Sequence, residues 1–323
     1  MSGSRLATAA AIIAALAIGV MVGLAAPRDE AAKPTTSGMT SATPSEPGAD
    51  AEKWLAELAP AATHGRLDGM RIAVIATATA TDADRAAVEQ VLTDAGATIP
   101  AVATLGEEWW DSQWGTFRGE LADNLTGVVQ GATEASPQML LSHAIAQALM
   151  PGALPAGADV NAESSPQEPI SLDGSPEMRT TEVIRTSLER AEILAIETAE
   201  PLTDNATGAP VTPAPIDAIV LVTGEGPEGG GIVAARAAAL WELYVSSTVI
   251  VVAHGESANS PHATATEIID ARDEAATGER PSVVLATQPV LLAPQIVFGL
   301  IEQRDGGNGV YGTLDDRPIV PSS

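Results

Sequence analysis

An α/β fold, a mainly parallel sheet flanked by helices and exported beyond a single N-terminal transmembrane helix, is what this sequence predicts. Three observations predict it. Twice the chain passes from an apolar run through a helical period to a second apolar run, the β-α-β pattern of parallel strands. Those apolar runs lack strict alternation, as strands covered on both faces do. And Leu6–Ala26 is a stretch of 21 residues without a charge, about 30 Å of helix and enough to cross a bilayer core.

The elements follow in order. Residues 1–26 form a short tail and the anchor. The apolar stretch is longer than the roughly 7–15 residues of a signal peptide, although Gly23 and Ala25 also fit a small-residue cleavage site. Arg5 precedes the span and Arg28 follows it, so charge specifies orientation weakly. The very short leading tail places the N-terminus in the cytoplasm and the bulk of the chain in the cell envelope. Gly19 and Gly23 form a small-xxx-small pair that allows two such helices to approach closely, a route to a homo-oligomer.

Residues 27–69 read as a flexible spacer rich in Pro, Ser and Thr, with a short amphipathic segment at Ala51–Leu58. The α/β domain spans 70–323, readable as one sheet or as two related halves, about 70–150 and 210–315. MRIAVIAT (Met70–Thr77) is a strand, and the segment from Asp82 to Gly96 is a helix closed by its glycine. TIPAVATL (Thr98–Leu105) is the next strand. Ser136–Met150 and Ser175–Ile196 read as helices separated by a Pro/Gly-rich insertion around Leu154–Gly174. IDAIVLVT (Ile216–Thr223), a glycine loop, a helix from Ile232 and STVIVVAH (Ser247–His254) repeat the first unit. A further helix after Ala265 and SVVLATQ (Ser282–Gln288) close the pattern.

Composition excludes several classes. With 16 Lys+Arg against 42 Asp+Glu, the net charge is −26, which argues against nucleic acid and against a basic patch for anionic lipid. The absence of Cys removes disulfides, thiolate nucleophiles and Cys-ligated metals.

Candidate chemistry is sparse. Gly224–Gly229 (GEGPEG) matches G-x-G-x-x-G between a strand and a helix, the context of a dinucleotide loop. Its two glutamates would face a pyrophosphate with like charge, so a plain strand-to-helix turn is the stronger reading. Met139 and His143 lie four apart on one helix face, and a thioether beside an imidazole suits copper better than carboxylates do. His254 and His262 flank a loop at the end of a strand, where α/β proteins place ligands. These four residues are the candidate metal ligands and copper the candidate metal; ordinary packing is the competing account of each. In EEWWDSQWGTF, Trp110, Trp114 and Phe117 have the spacing of a buried helical stripe, which leaves Trp109 as the ring for a partner surface. No nucleophile–base pair, P-loop or carboxylate dyad stands out, and no enzymatic activity is expected.

Four segments resemble the actinobacterial copper transporter, or mycobacterial copper transport protein B, family. They are LAIGVMVGLA in the anchor, the β-α-β unit MRIAVIATATATDADRAAVEQVLTDAGATIPAVATL, the strand–loop–helix IDAIVLVTGEGPEGGGIVAARAAAL with Ala235 and Arg236, and the closing run ERPSVVLATQPVLLAPQIVFGLIEQRDGGNGVYGTL with Tyr311-Gly312. The resemblance implies copper efflux or homeostasis at the outer membrane and cell envelope. It also implies an alternative, a non-enzymatic scaffold or regulator of envelope and cell-separation proteins acting through protein contacts. A Pro/Ser/Thr-rich spacer stands where the family carries a coiled-coil-like stretch. A single helix encloses no lumen, so a channel would need an oligomer or an envelope protein partner.

Overall fold

Residues 71–77 hold six apolar or small side chains with no break between them, and in the computed structural model they become the first of seven strands in one sheet. The described residues are 57–132, 135–151, 153–156, 176–201, 213–253, 263–274, 280–286 and 289–312. The chain divides into two units, 1–58 and 59–323, and the sheet belongs to the second. The transmembrane segment, the spacer, Gly19, Gly23 and most of the short amphipathic segment lie outside the described residues. Among the described residues no helix is long and apolar enough to cross a membrane.

The strands are β1 (Arg71–Thr77), β2 (Thr98–Leu105), β3 (Leu194–Ala199), β4 (Ala218–Thr223), β5 (Ser247–Val252), β6 (Ser282–Leu285) and β7 (Val310–Tyr311). Their order across the sheet is β3-β2-β1-β4-β5-β6-β7. All neighbours run parallel except β2 and β3, which are antiparallel. Ile75 stands beside Ala103 on one side and Leu221 on the other, so strands of both sequence halves share a single sheet.

Among the described residues, the helices packed around it include α1 (Asp82–Asp94), α2 (Gly115–Leu125), α3 (Pro137–Leu149), α4 (Pro176–Arg190), α5 (Gly230–Trp241), α6 (Ala263–Glu274) and α7 (Pro289–Arg304). Alternate residues of β1 face opposite cores, as the two-residue period of a strand requires. Ala73 and Ile75 join side chains of α2 to α6, while Ile72, Val74 and Ala76 join those of α1 and α7.

The ends of the helices have local causes. Thr81 and Asp84 form a reciprocal capping box that starts α1, and Gly96, at φ +92°, ends it with two overlapping backbone bonds. His64 Nδ1 lies 3.0 Å from the Asp94 carbonyl at that same end. Ser136 caps α3 and Pro137 opens it.

Three sequence expectations need correction. The helix expected over Ser175–Ile196 ends at Arg190, and Leu194–Ala199 is the antiparallel end strand. Glu192 turns the chain at φ +56°, while Glu192 and Ile193 donate to the Glu189 and Leu188 carbonyls, a Schellman ending made without glycine. Neither α7 nor β7 was read from the sequence. The tryptophan segment is two short 3-10 turns at Glu107–Trp109 and Ser112–Trp114 followed by α2, so its rings do not share one helical stripe.

Candidate functional site

Strand order reverses between β1 and β4, where one neighbour continues to β2 and the other to β5. In open α/β sheets ligands bind at that reversal, beyond the carboxyl ends of the strands. Here the chain's own hydroxyl and backbone groups bond one another. Thr77 Oγ1 donates to Thr223 Oγ1 at 3.2 Å and lies 3.1 Å from Thr79 Oγ1. The Gly224 N–H reaches the Thr79 hydroxyl at 3.3 Å. A Cβ on Gly224 would lie 2.1 Å from the Thr79 carbonyl oxygen, so the two loops approach to a distance that only glycine permits.

The glycine loop that follows β4 leads into the N-terminus of α5, where a pyrophosphate sits in a dinucleotide site. In this chain Glu267 of α6 takes that place. Its two carboxylate oxygens accept from the Gly229 and Gly231 N–H groups, each at 2.9 Å. Thr264, one turn earlier, accepts from Gly226 N–H at 2.8 Å. A Cβ on Gly231 would meet the Thr264 carbonyl at 2.5 Å, so α6 is seated directly on the loop. The helix that follows β1, α1, holds the Asp84 carboxylate of its capping box at its own opening. Both N-termini that flank the reversal are thus neutralised from within.

Tryptophans form the wall behind the loop. Trp110 lies against Gly226, whose added Cβ would be 2.8 Å from the ring, and against Gly230 at 3.3 Å. Trp109 is fully buried, its ring 5.9 Å from that of Trp110. Arg118 of α2 fastens this segment, with Nη1 donating to the Glu108 and Asp111 carbonyls at 2.8 and 2.6 Å. Burial lowers the Arg118 pKa, and nearby Asp111 opposes the shift. The exposed ring is Trp114, edge-on to Phe117, which reverses the expected roles of Trp109 and Trp114.

Of the candidate metal ligands, His254 and His262 lie outside the described residues. Met139, in the first turn of α3, is 49% exposed; His143, one turn later, is 5% exposed. His143 Nδ1 is 2.6 Å from the Tyr244 hydroxyl, with the rings edge-on at 5.7 Å. Gln147 Nε2 donates to the same hydroxyl at 3.2 Å and to the Gln130 carbonyl at 2.7 Å. Gln147 Oε1 accepts from Gln130 N–H at 3.1 Å. Burial lowers the His143 pKa and raises that of Tyr244 to about 12. Among the described residues no group of three or more His, Cys, Asp or Glu is placed to hold a metal ion.

Sequence reasoning missed Glu267, Tyr244, Gln147 and Gln130. Tyr244 is 101 residues from His143 and Glu267 is 38 from Gly229, and no local pattern signals pairings of that separation. Comparison with known proteins adds one match. The family model described as "Copper transport outer membrane protein, MctB" matches residues 3–321. No curated protein matches the chain.

Proposed function

The chain belongs to the family of the copper transport outer membrane protein MctB, and from that premise we propose that it serves copper efflux and homeostasis as a tethered envelope protein without chemistry of its own. Leu6–Ala26 is the single span, with the N-terminus cytoplasmic and the α/β body exported. Copper is the cargo, and the body acts on its passage through contacts with other proteins or other copies of the chain.

The observation that supports this mode of action is the bonding of the chain's own groups to one another at the strand-order reversal. Thr77 bonds Thr79 and Thr223 there, and the Glu267 carboxylate accepts from the loop N–H groups where this fold class takes an anionic ligand. The described sheet also has two end strands, β3 and β7, with helices packed on both faces, whereas a membrane-crossing sheet is closed on itself and faces lipid. These features support a copper conduit outside the α/β body. Deleting the gene is expected to raise cellular copper and copper sensitivity, and restoring the full chain to reverse both. Unchanged copper content in the deletion strain would reject the reading.

A second reading, a scaffold or regulator of envelope and cell-separation proteins, is favoured by β3. Among the described residues that strand pairs with β2 alone, and an end strand is the place where a partner's strand can add. Affinity capture with the full chain is its test. Recovery of no envelope protein at all would count against it.

A further inference from the structure

The hydrogen bonds around His143 run in one direction, and the backbone sets it. Gln147 bonds both the N–H and the C=O of Gln130. A backbone N–H only donates and a backbone C=O only accepts. The Gln147 amide therefore has one orientation, because a flip would set donor against donor and acceptor against acceptor. Its remaining Nε2 proton points to the Tyr244 oxygen. The phenol then has one proton to give, and His143 Nδ1 at 2.6 Å is the acceptor beside it. With the phenol as the donor, Nδ1 of His143 carries a lone pair and Nε2 the proton.

We infer that Tyr244 locks His143 in the Nε2–H tautomer and so withholds both ring nitrogens from copper. A coordinating histidine binds through one nitrogen and donates its other N–H to an acceptor. His143 has the reverse arrangement: Nδ1 is engaged as an acceptor and Nε2 holds a proton. Coordination through Nε2 would require the ring to take its proton on Nδ1. Tyr244 would then have to receive two hydrogen bonds and find a new acceptor for its own. Met139, one turn away, consequently lacks an imidazole partner on α3, and Tyr244 acts as a positioning residue through His143. The inference goes beyond the copper role proposed above, because that role assigns no ligand within the described residues.

The test is nitrogen NMR of the full chain labelled only at its four histidines, with His143→Gln to assign the His143 signals. At neutral pH the wild type is expected to give the pattern of an unprotonated Nδ1 and a protonated Nε2 at His143. Addition of silver(I), a redox-inert stand-in for copper(I), is expected to leave those two signals in place. Tyr244→Phe is expected to convert the single tautomer into a mixture. An Nδ1–H pattern in the wild type, or a silver-induced shift of His143 Nε2, would overturn the inference. Both wild-type measurements stand if the Tyr244→Phe chain does not fold. Failure here would leave the copper phenotype of the deletion strain unaffected, so the two readings are separable.

Discussion

Replacing Glu267 by Ala removes the one carboxylate that satisfies two backbone N–H groups at the start of α5. Hydrogen bonds to a charged group contribute roughly 1.5–3 kcal/mol each in buried settings. Glu267 is half-buried, so screening reduces the pair to a total of about 2–3 kcal/mol. For a body of this size each kcal/mol moves the melting temperature by about 2–4 °C, so Glu267→Ala is expected to melt about 4–12 °C below wild type. Glu267→Gln keeps one acceptor oxygen but loses the charge and turns an amide donor toward an N–H, so it belongs between the two. Asp270→Ala, an exposed position on the same helix, is the control and is expected to stay within about 0.5 kcal/mol of wild type. Thermal unfolding of the full chain, followed by circular dichroism, reads all three. If Glu267→Ala melts with the control, the carboxylate is not what closes the glycine loop.

Gly224→Ala places a Cβ 2.1 Å from the Thr79 carbonyl and forces the β1 and β4 loops apart, an overpacking cost of about 1–3 kcal/mol measurable in urea. Trp241→Phe deletes the indole that donates to the Ser142 carbonyl at 3.0 Å from a fully buried site; the lost bond and the space left should destabilise by about 2–3 kcal/mol. The His143 pKa lies below its ordinary value through burial, so the unfolded chain takes up that proton first. Stability should accordingly fall as pH drops below about 6.5 and level off once the folded-state pKa is passed. His143→Gln should flatten that part of the pH–stability profile, and an unchanged slope would contradict it.

The regular part of the fold is legible because its causes are local. Met70–Thr77, Thr98–Leu105, Ile216–Thr223 and Ser247–His254 all contain strands within two residues of where apolar runs place them, and Gly96 ends α1 as a C-terminal glycine does. The end strand β3 was absorbed into the preceding helix because Ile184, Leu188 and the residues after them continue a helical period. What breaks it is Glu192 in a conformation that usually marks glycine. The tryptophans were misplaced for a related reason. Helical spacing of Trp110, Trp114 and Phe117 says nothing where the backbone is 3-10 and an arginine from α2 ties it down. The glycine loop displays two glutamates of its own, but the acid that bonds its N–H groups comes from α6. A sequence displays the loop and the acid without displaying their meeting. The same limit applies to His143, whose partner Tyr244 is fixed by how α3 packs beside α5.

Cellular copper in a strain lacking this chain, measured by mass spectrometry against the parent and a strain restored with the full chain, tests the central claim most directly. Copper is expected to rise in the deletion strain and to return to the parental level with the full chain. Equal copper in all three strains would contradict it.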